Sequence, residues 1–136
     1  MKSTLARMAS LSVFLVLFGC ASGPKNLTLE SNDEICKSYG IYAKSPFFAS
    51  LASTYKNEIN TRKLIPDSEW NLAREGRISI GMSVCSLYAS WGKPDKENRS
   101  VSSGSVHTQH IFNRGYKYIK PTYVYTRNGL VTSWQD

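Results

Sequence analysis

The chain lacks a long apolar run, a block of like charge, an internal repeat and a low-complexity tract, and only two of its 136 residues are histidine. Each absence narrows the possibilities. The one strongly apolar segment, "LSVFLVLFG" at residues 11 to 19, is too short to cross a bilayer as a helix. His107 and His110 stand three apart in what reads as a strand, so they point to opposite faces and form no simple metal pair. A structural or surface role suits each better. Around Ile80-Gly81-Met82-Ser83 the further glycines and the helix-start lysine of a phosphate cradle are missing. No carboxylate pair stands out for acid–base work, and no serine has a nameable base beside it. The sequence therefore offers no catalytic set and implies no cofactor.

What the chain does have begins at its N-terminus. Lys2 and Arg7 precede the apolar run, which ends in Leu17-Phe18-Gly19-Cys20. That ending resembles the lipobox of bacterial lipoproteins, in which the cysteine is acylated and the preceding signal removed. Residues 1–19 are expected to be the signal peptide and Cys20 the lipidated residue, with an ordinary signal peptide and an incidental cysteine as the alternative. Two or more acyl chains anchor stably where one is marginal. Ala21 and Ser22 follow, with no aspartate, which resembles sorting to the outer membrane. The expected localisation is the periplasmic face of that membrane.

Without residues 1 to 19, 117 residues remain, enough for one domain with a core. The formal charge falls from +7 to +5 with the loss of Lys2 and Arg7. A moderately basic, exported chain is not expected to bind nucleic acid; an anionic lipid, the cell wall or an acidic protein surface fits better. Cys36 and Cys85 are left for an oxidising compartment, where one disulfide is expected and a pair of buried free thiols is the alternative. Closing that loop is worth about 4 kcal/mol in the chain-entropy model.

Residues 20–35, polar and carrying Gly23-Pro24, read as a lipidated cysteine and flexible tether, and 36–136 as a single α+β domain. Ser45-Pro46 opens a helix with Phe48, Leu51, Ala52, Tyr55 and Ile59 at helical spacing. Asp67 is placed to cap a second, shorter helix ending at Gly76, with Trp70 and Ala73 inward. Ser83 caps a third, whose Val84, Leu87, Tyr88 and Trp91 form one face while Ser83, Ser86 and Ser90 take the other. Gly92 and Pro94 end it. Strands follow: residues 96 to 101 and 105 to 112 around Ser102-Ser103-Gly104, then "TYVYTR" and "LVTSWQ" around Asn128-Gly129. A two-residue turn there pairs Arg127 with Leu130, Tyr125 with Thr132 and Tyr123 with Trp134, the aromatic pair toward the helices. The expected architecture is two or three short helices on a small antiparallel meander.

The run Ile80-Gly81-Met82-Ser83, then Trp91-Gly92-Lys93-Pro94-Asp95, then "YVYTRNGLVTSW", resembles the SmpA/OmlA (BamE-like) outer-membrane lipoproteins. The likeness covers residues 78 to 136; residues 36 to 77 are an additional helical portion. It implies helices on a small antiparallel sheet, a fold related to that of β-lactamase inhibitor protein, and a non-enzymatic accessory or scaffold role in outer-membrane assembly with an envelope protein partner. The alternative is an inhibitor or regulator of a periplasmic enzyme. The contact is expected in "NRGYKYIKPT", residues 113 to 122, where Arg114, Lys117 and Lys120 interleave with Tyr116 and Tyr118, residue types common at protein and anionic-lipid interfaces. A solvated connection with basic tips is the plain alternative.

Overall fold

The computed structural model describes residues 25–113 and 120–136. Among these, four α-helices precede a four-stranded antiparallel sheet: α1 Asn32–Tyr42, α2 Ala49–Arg62, α3 Trp70–Arg74, α4 Val84–Trp91, then β1 Lys96–Ser102, β2 Ser105–Phe112, β3 Thr122–Arg127 and β4 Leu130–Gln135. The strands lie in the order β1-β2-β3-β4, so the chain meanders without a crossover. This is the expected α+β architecture, with one more helix than the sequence reading supplies.

The extra helix is α1, and it starts inside the stretch read as a tether up to residue 35. Its cap is readable in retrospect. The Ser31 hydroxyl accepts from the Glu34 N–H at 3.2 Å, and Asp33 and Glu34 sit in the first turn, where the helix dipole favours them. Ile35, Tyr39 and Tyr42 follow at helical spacing, and Ile35 is completely buried. A 3₁₀ turn, Leu27–Leu29, precedes α1 and is tied to the end of α2: Arg62 donates to the Leu27 carbonyl at 2.7 Å and to the Glu30 carbonyl at 2.8 Å.

The expected helix at Ser45-Pro46 opens as a 3₁₀ turn, Pro46–Phe48, and continues as α2. Asp67 is not the expected cap: it is the first residue of another such turn, Asp67–Glu69, whose cap position is Pro66, and Glu69 stands at the cap of α3. Ser83 does cap α4, its hydroxyl accepting from the Ser86 N–H at 3.2 Å. Glu69 reinforces that cap from a distance, accepting from the Ser83 N–H at 3.1 Å, from the Ser83 hydroxyl at 3.0 Å and from the Ser86 hydroxyl. The expectation that the serines of α4 face away from the core is overturned. Ser86 and Ser90 are buried, because α1 and α3 pack on that side of the helix. Their hydroxyls are satisfied there, Ser90 donating to the Arg77 carbonyl at 2.8 Å.

Helix α4 is therefore central: helices on one side, the sheet on the other. Trp91 meets Phe112 edge-on at 5.4 Å, and Tyr88 meets His110 at 5.7 Å. Where α1 crosses α4, Gly40 leaves no room for a side chain; a Cβ there would stand 2.4 Å from the Tyr88 carbonyl oxygen. Cys36 on α1 and Cys85 on α4 are bonded, sulfur to sulfur at 2.02 Å, and pin the same crossing.

Both hairpins turn where expected. Ser103 and Gly104 have φ of 49° and 73°, and Asn128 and Gly129 of 50° and 78°, the left-handed pairs that two-residue turns with native twist require. The register beyond the second turn differs from expectation. Arg127 pairs with Leu130, but the ladder shifts between Tyr125 and Thr126, so Tyr125 lies opposite Ser133, Val124 opposite Trp134, and Tyr123 opposite Gln135. Thr132 takes up the slack, its hydroxyl donating to the Tyr125 carbonyl at 3.1 Å. Val124 and Val131, not the tyrosines, face the helices, and both are fully buried. Segment 81–83 adds to the β4 edge through Gly81 N–H to Val131 O (2.7 Å) and Val131 N–H to Met82 O (2.8 Å).

Candidate functional site

The helix-facing side of the sheet carries Glu97 and Arg99 on β1, Val106, Thr108, His110 and Phe112 on β2, and Thr122, Val124 and Thr126 on β3, as the strand pairing dictates. Helix α4 covers the Phe112 end. Toward the β1–β2 hairpin the cover runs out, leaving a cleft of about 380 Å³ bordered by Asp33 and Lys37 of α1, Val84 and Tyr88 of α4, and the strand residues from Glu97 to Thr126.

At the inner end of the cleft a connected set of polar side chains joins five elements. Glu97 is its centre. Its carboxylate accepts from the Tyr88 hydroxyl at 2.6 Å, bonds the His110 Nδ1 at 2.9 Å, and pairs with the Lys37 ammonium. Lys37 also pairs with Asp33 one turn earlier in α1 at 2.6 Å and lies 5.5 Å from the centre of the Tyr88 ring. The other nitrogen of His110 meets the Thr126 hydroxyl at 3.0 Å. Both ring bonds are satisfied by the tautomer with its proton on Nδ1.

The surroundings fix the charges. The hydrogen bond with His110 lowers the Glu97 carboxyl most; burial opposes it, and Lys37 and Tyr88 bring it down further, to about 2. Burial works against the Lys37 charge, but its bonds to Asp33 and Glu97 outweigh that and raise its pKa. Burial and the Glu97 carboxylate push the Tyr88 hydroxyl well above the usual tyrosine range. Glu97, Lys37 and Tyr88 thus stand near neutral pH as an anion, a cation and a neutral phenol. The cluster locks α1 and α4 to the sheet and presents fixed polarity to the cleft. Among the described residues no group of three His, Cys, Asp or Glu side chains is placed to hold a metal ion.

Among the described residues no helix covers the opposite side of the sheet. Asn98 donates to the Gln109 side-chain oxygen at 2.8 Å, Gln109 donates to the Tyr125 hydroxyl at 3.1 Å, and that hydroxyl reaches Gln135 at 3.4 Å, a cross-strand row over all four strands. Ile111 and Tyr123 pair beside this row and are half-buried.

The residues expected from the sequence are distributed unevenly. Cys36 and Cys85 form the bridge described above. Cys20, Arg114, Tyr116, Lys117 and Tyr118 lie outside the described residues; Lys120, at the foot of that loop, is exposed. The cleft residues Asp33, Lys37, Tyr88, Glu97 and His110 were not anticipated together. Among the described residues no helix is long and apolar enough to cross a membrane. No family model, no curated protein and no solved structure matches this chain.

Proposed function

We propose that this chain is a non-enzymatic outer-membrane lipoprotein, held through Cys20, that acts as an accessory or scaffold factor in envelope assembly. The structural observation that carries the contact role is the outer face of the sheet, which none of the described helices covers. There Asn98, Gln109, Tyr125 and Gln135 are held in place by one another before any partner arrives. Prearranged tyrosine and amide groups lose little freedom on binding, which favours recognition. The lipobox at residues 17 to 20 and the Cys36–Cys85 bridge support export to an oxidising compartment. Helices packed on a small antiparallel sheet are also what the resemblance to the SmpA/OmlA lipoproteins implies. The bonds of Glu97 to Lys37, Tyr88 and His110, which tie two helices to the sheet, suit an architectural use of the cleft.

In-cell photocrosslinking from Gln109, Tyr123 and the 113 to 122 loop, followed by detergent extraction and mass spectrometry, tests this reading. A barrel-assembly component at these positions supports it. A soluble periplasmic enzyme, bound one to one and still bound after loss of the anchor, replaces it with the inhibitor reading. A variant with Arg114, Lys117 and Lys120 reversed to acidic residues, folded and fully complementing a deletion strain, removes the loop as the contact site.

A further inference from the structure

The two edges of the sheet end differently. At β4 the outward main chain of Val131 is taken by Gly81 and Met82, and the Val84 N–H closes on the Gly129 carbonyl at 2.8 Å. At β1 nothing comparable is present among the described residues. The two-residue turn at Ser103-Gly104 makes Ser102 and Ser105 a hydrogen-bonded pair, and Ser100 with His107 and Asn98 with Gln109 follow in the same sense. Val106 agrees with this, since its carbonyl turns the other way and accepts from the Asn128 N–H, just beyond β3, at 2.8 Å. The N–H and C=O groups of Glu97, Arg99 and Val101 therefore point out of the sheet edge, and no described residue bonds them. Residues 98 to 102 are all exposed, Val101 by 67 %. The devices that usually blunt such an edge are missing here: β1 has no proline, its register with β2 runs without a shift, and no described helix lies over residues 98 to 102.

The chemistry of a free edge identifies its occupant. Donors and acceptors repeated at alternate residues along one strand are complemented by another extended main chain, and not by a lipid or a small ion. Side chains narrow the choice. Glu97, Arg99 and Val101 lie on the cleft side of β1, so a strand added here extends the floor of the cleft. The Glu97 carboxylate is already held by Lys37, Tyr88 and His110, whereas Arg99 and Lys96 make no ion pair among the described residues. Both charges that this edge offers to a newcomer are thus cationic, and cross-strand pairing favours an acidic residue facing Arg99. A second copy of β1 fits poorly. Setting Arg99 against itself opposes like charges, and setting it against Glu97 of the copy competes with the three partners which that carboxylate already has.

We infer that β1 is a docking edge for an extended, acidic segment of a partner protein, which adds to the sheet through the main chain of Glu97, Arg99 and Val101 and sets a carboxylate on Arg99. The outer face offers side chains to a partner; the edge offers main chain, with Arg99 as the selector. The inference requires neither the lipid anchor nor an occupant on the outer face.

The test uses the full chain in detergent and a short, terminally blocked peptide that alternates threonine with valine around one central glutamate, with amide hydrogen exchange followed by NMR. In the free protein the amides of Glu97, Arg99 and Val101 should exchange quickly and those of Asn98 and Ser100 slowly. With peptide at about ten times its Kd, the first three are expected to slow about tenfold while the second pair changes little. The same peptide N-methylated at its glutamate and valines should give no slowing, because it lacks the donors that face β1. Arg99→Glu, at an exposed position, should reverse the preference in favour of a lysine-centred peptide. Unchanged exchange at 97, 99 and 101 with millimolar peptide overturns the docking edge. Slow exchange there in the free protein at every concentration also overturns it, because another part of this chain then covers β1. Slowing that appears without peptide as protein concentration rises overturns the partner in favour of a second copy. Equal slowing by the glutamate and lysine peptides overturns the acidic segment and the role of Arg99.

Discussion

Replacing Glu97 by glutamine keeps the shape of the side chain and removes the charge on which Lys37, Tyr88 and His110 converge. The size and sign of the effect follow from its environment. In the folded protein the carboxyl is lowered from 4.5 to about 2. That difference corresponds to at most about 3 kcal/mol of stability. The side chain is 27 % exposed, at the open side of the cleft, and screening by water brings the expected value to about 1–2 kcal/mol. A depressed carboxyl stabilises the fold above its unfolded value, so the contribution is complete at neutral pH and disappears as pH falls from about 4.5 to about 2. Urea unfolding of wild type and Glu97→Gln across that range gives the comparison, since the other carboxylates are common to both proteins. The gap is expected to be widest at neutral pH and to close on acidification. A gap of constant size would refute the electrostatic account and leave Glu97 as a packing residue; no gap at all would mean that burial costs cancel its partners.

Three further perturbations probe the helical layer. Gly40→Ala forces a methyl group against the Tyr88 carbonyl at 2.4 Å and is expected to cost about 1–3 kcal/mol, seen as a lower Tm in calorimetry; an unchanged Tm would show that α1 can move off α4 freely. Replacing Cys36 and Cys85 together by serine opens a loop of sequence separation 49, and denaturant titration should find up to about 4 kcal/mol less stability, with reductant having no further effect on the variant. Glu69→Ala removes the acceptor shared by the Ser83 N–H and the Ser83 and Ser86 hydroxyls, so hydrogen exchange should quicken in the first turn of α4, with about 1–2 kcal/mol lost overall.

Much of the fold is written in local signals. Ser83 and Gly92 bound α4, Ser45-Pro46 opens the way to α2, and Ser103-Gly104 and Asn128-Gly129 fix both hairpins, because caps and left-handed turn positions depend on a few adjacent residues. Part of the cleft was within reach as well. A two-residue turn at Ser103-Gly104 places Glu97 directly opposite His110, so their meeting follows from hairpin register alone. The remaining members come from far along the chain. Asp33 and Lys37 reach the site only because α1 crosses α4 at Gly40, and no local spacing encodes that crossing. The shift at Thr132 was hidden for a related reason. Strict alternation sets Tyr123 and Trp134 on one face and Val124 and Val131 on the other without saying which is inward; burial of the valines decides that, and the bulge at Thr132 moves Trp134 opposite Val124. The start of α1 reads as tether because its apolar residues, Ile35, Tyr39 and Tyr42, are few, although Ser31 and Glu34 carry the capping signature.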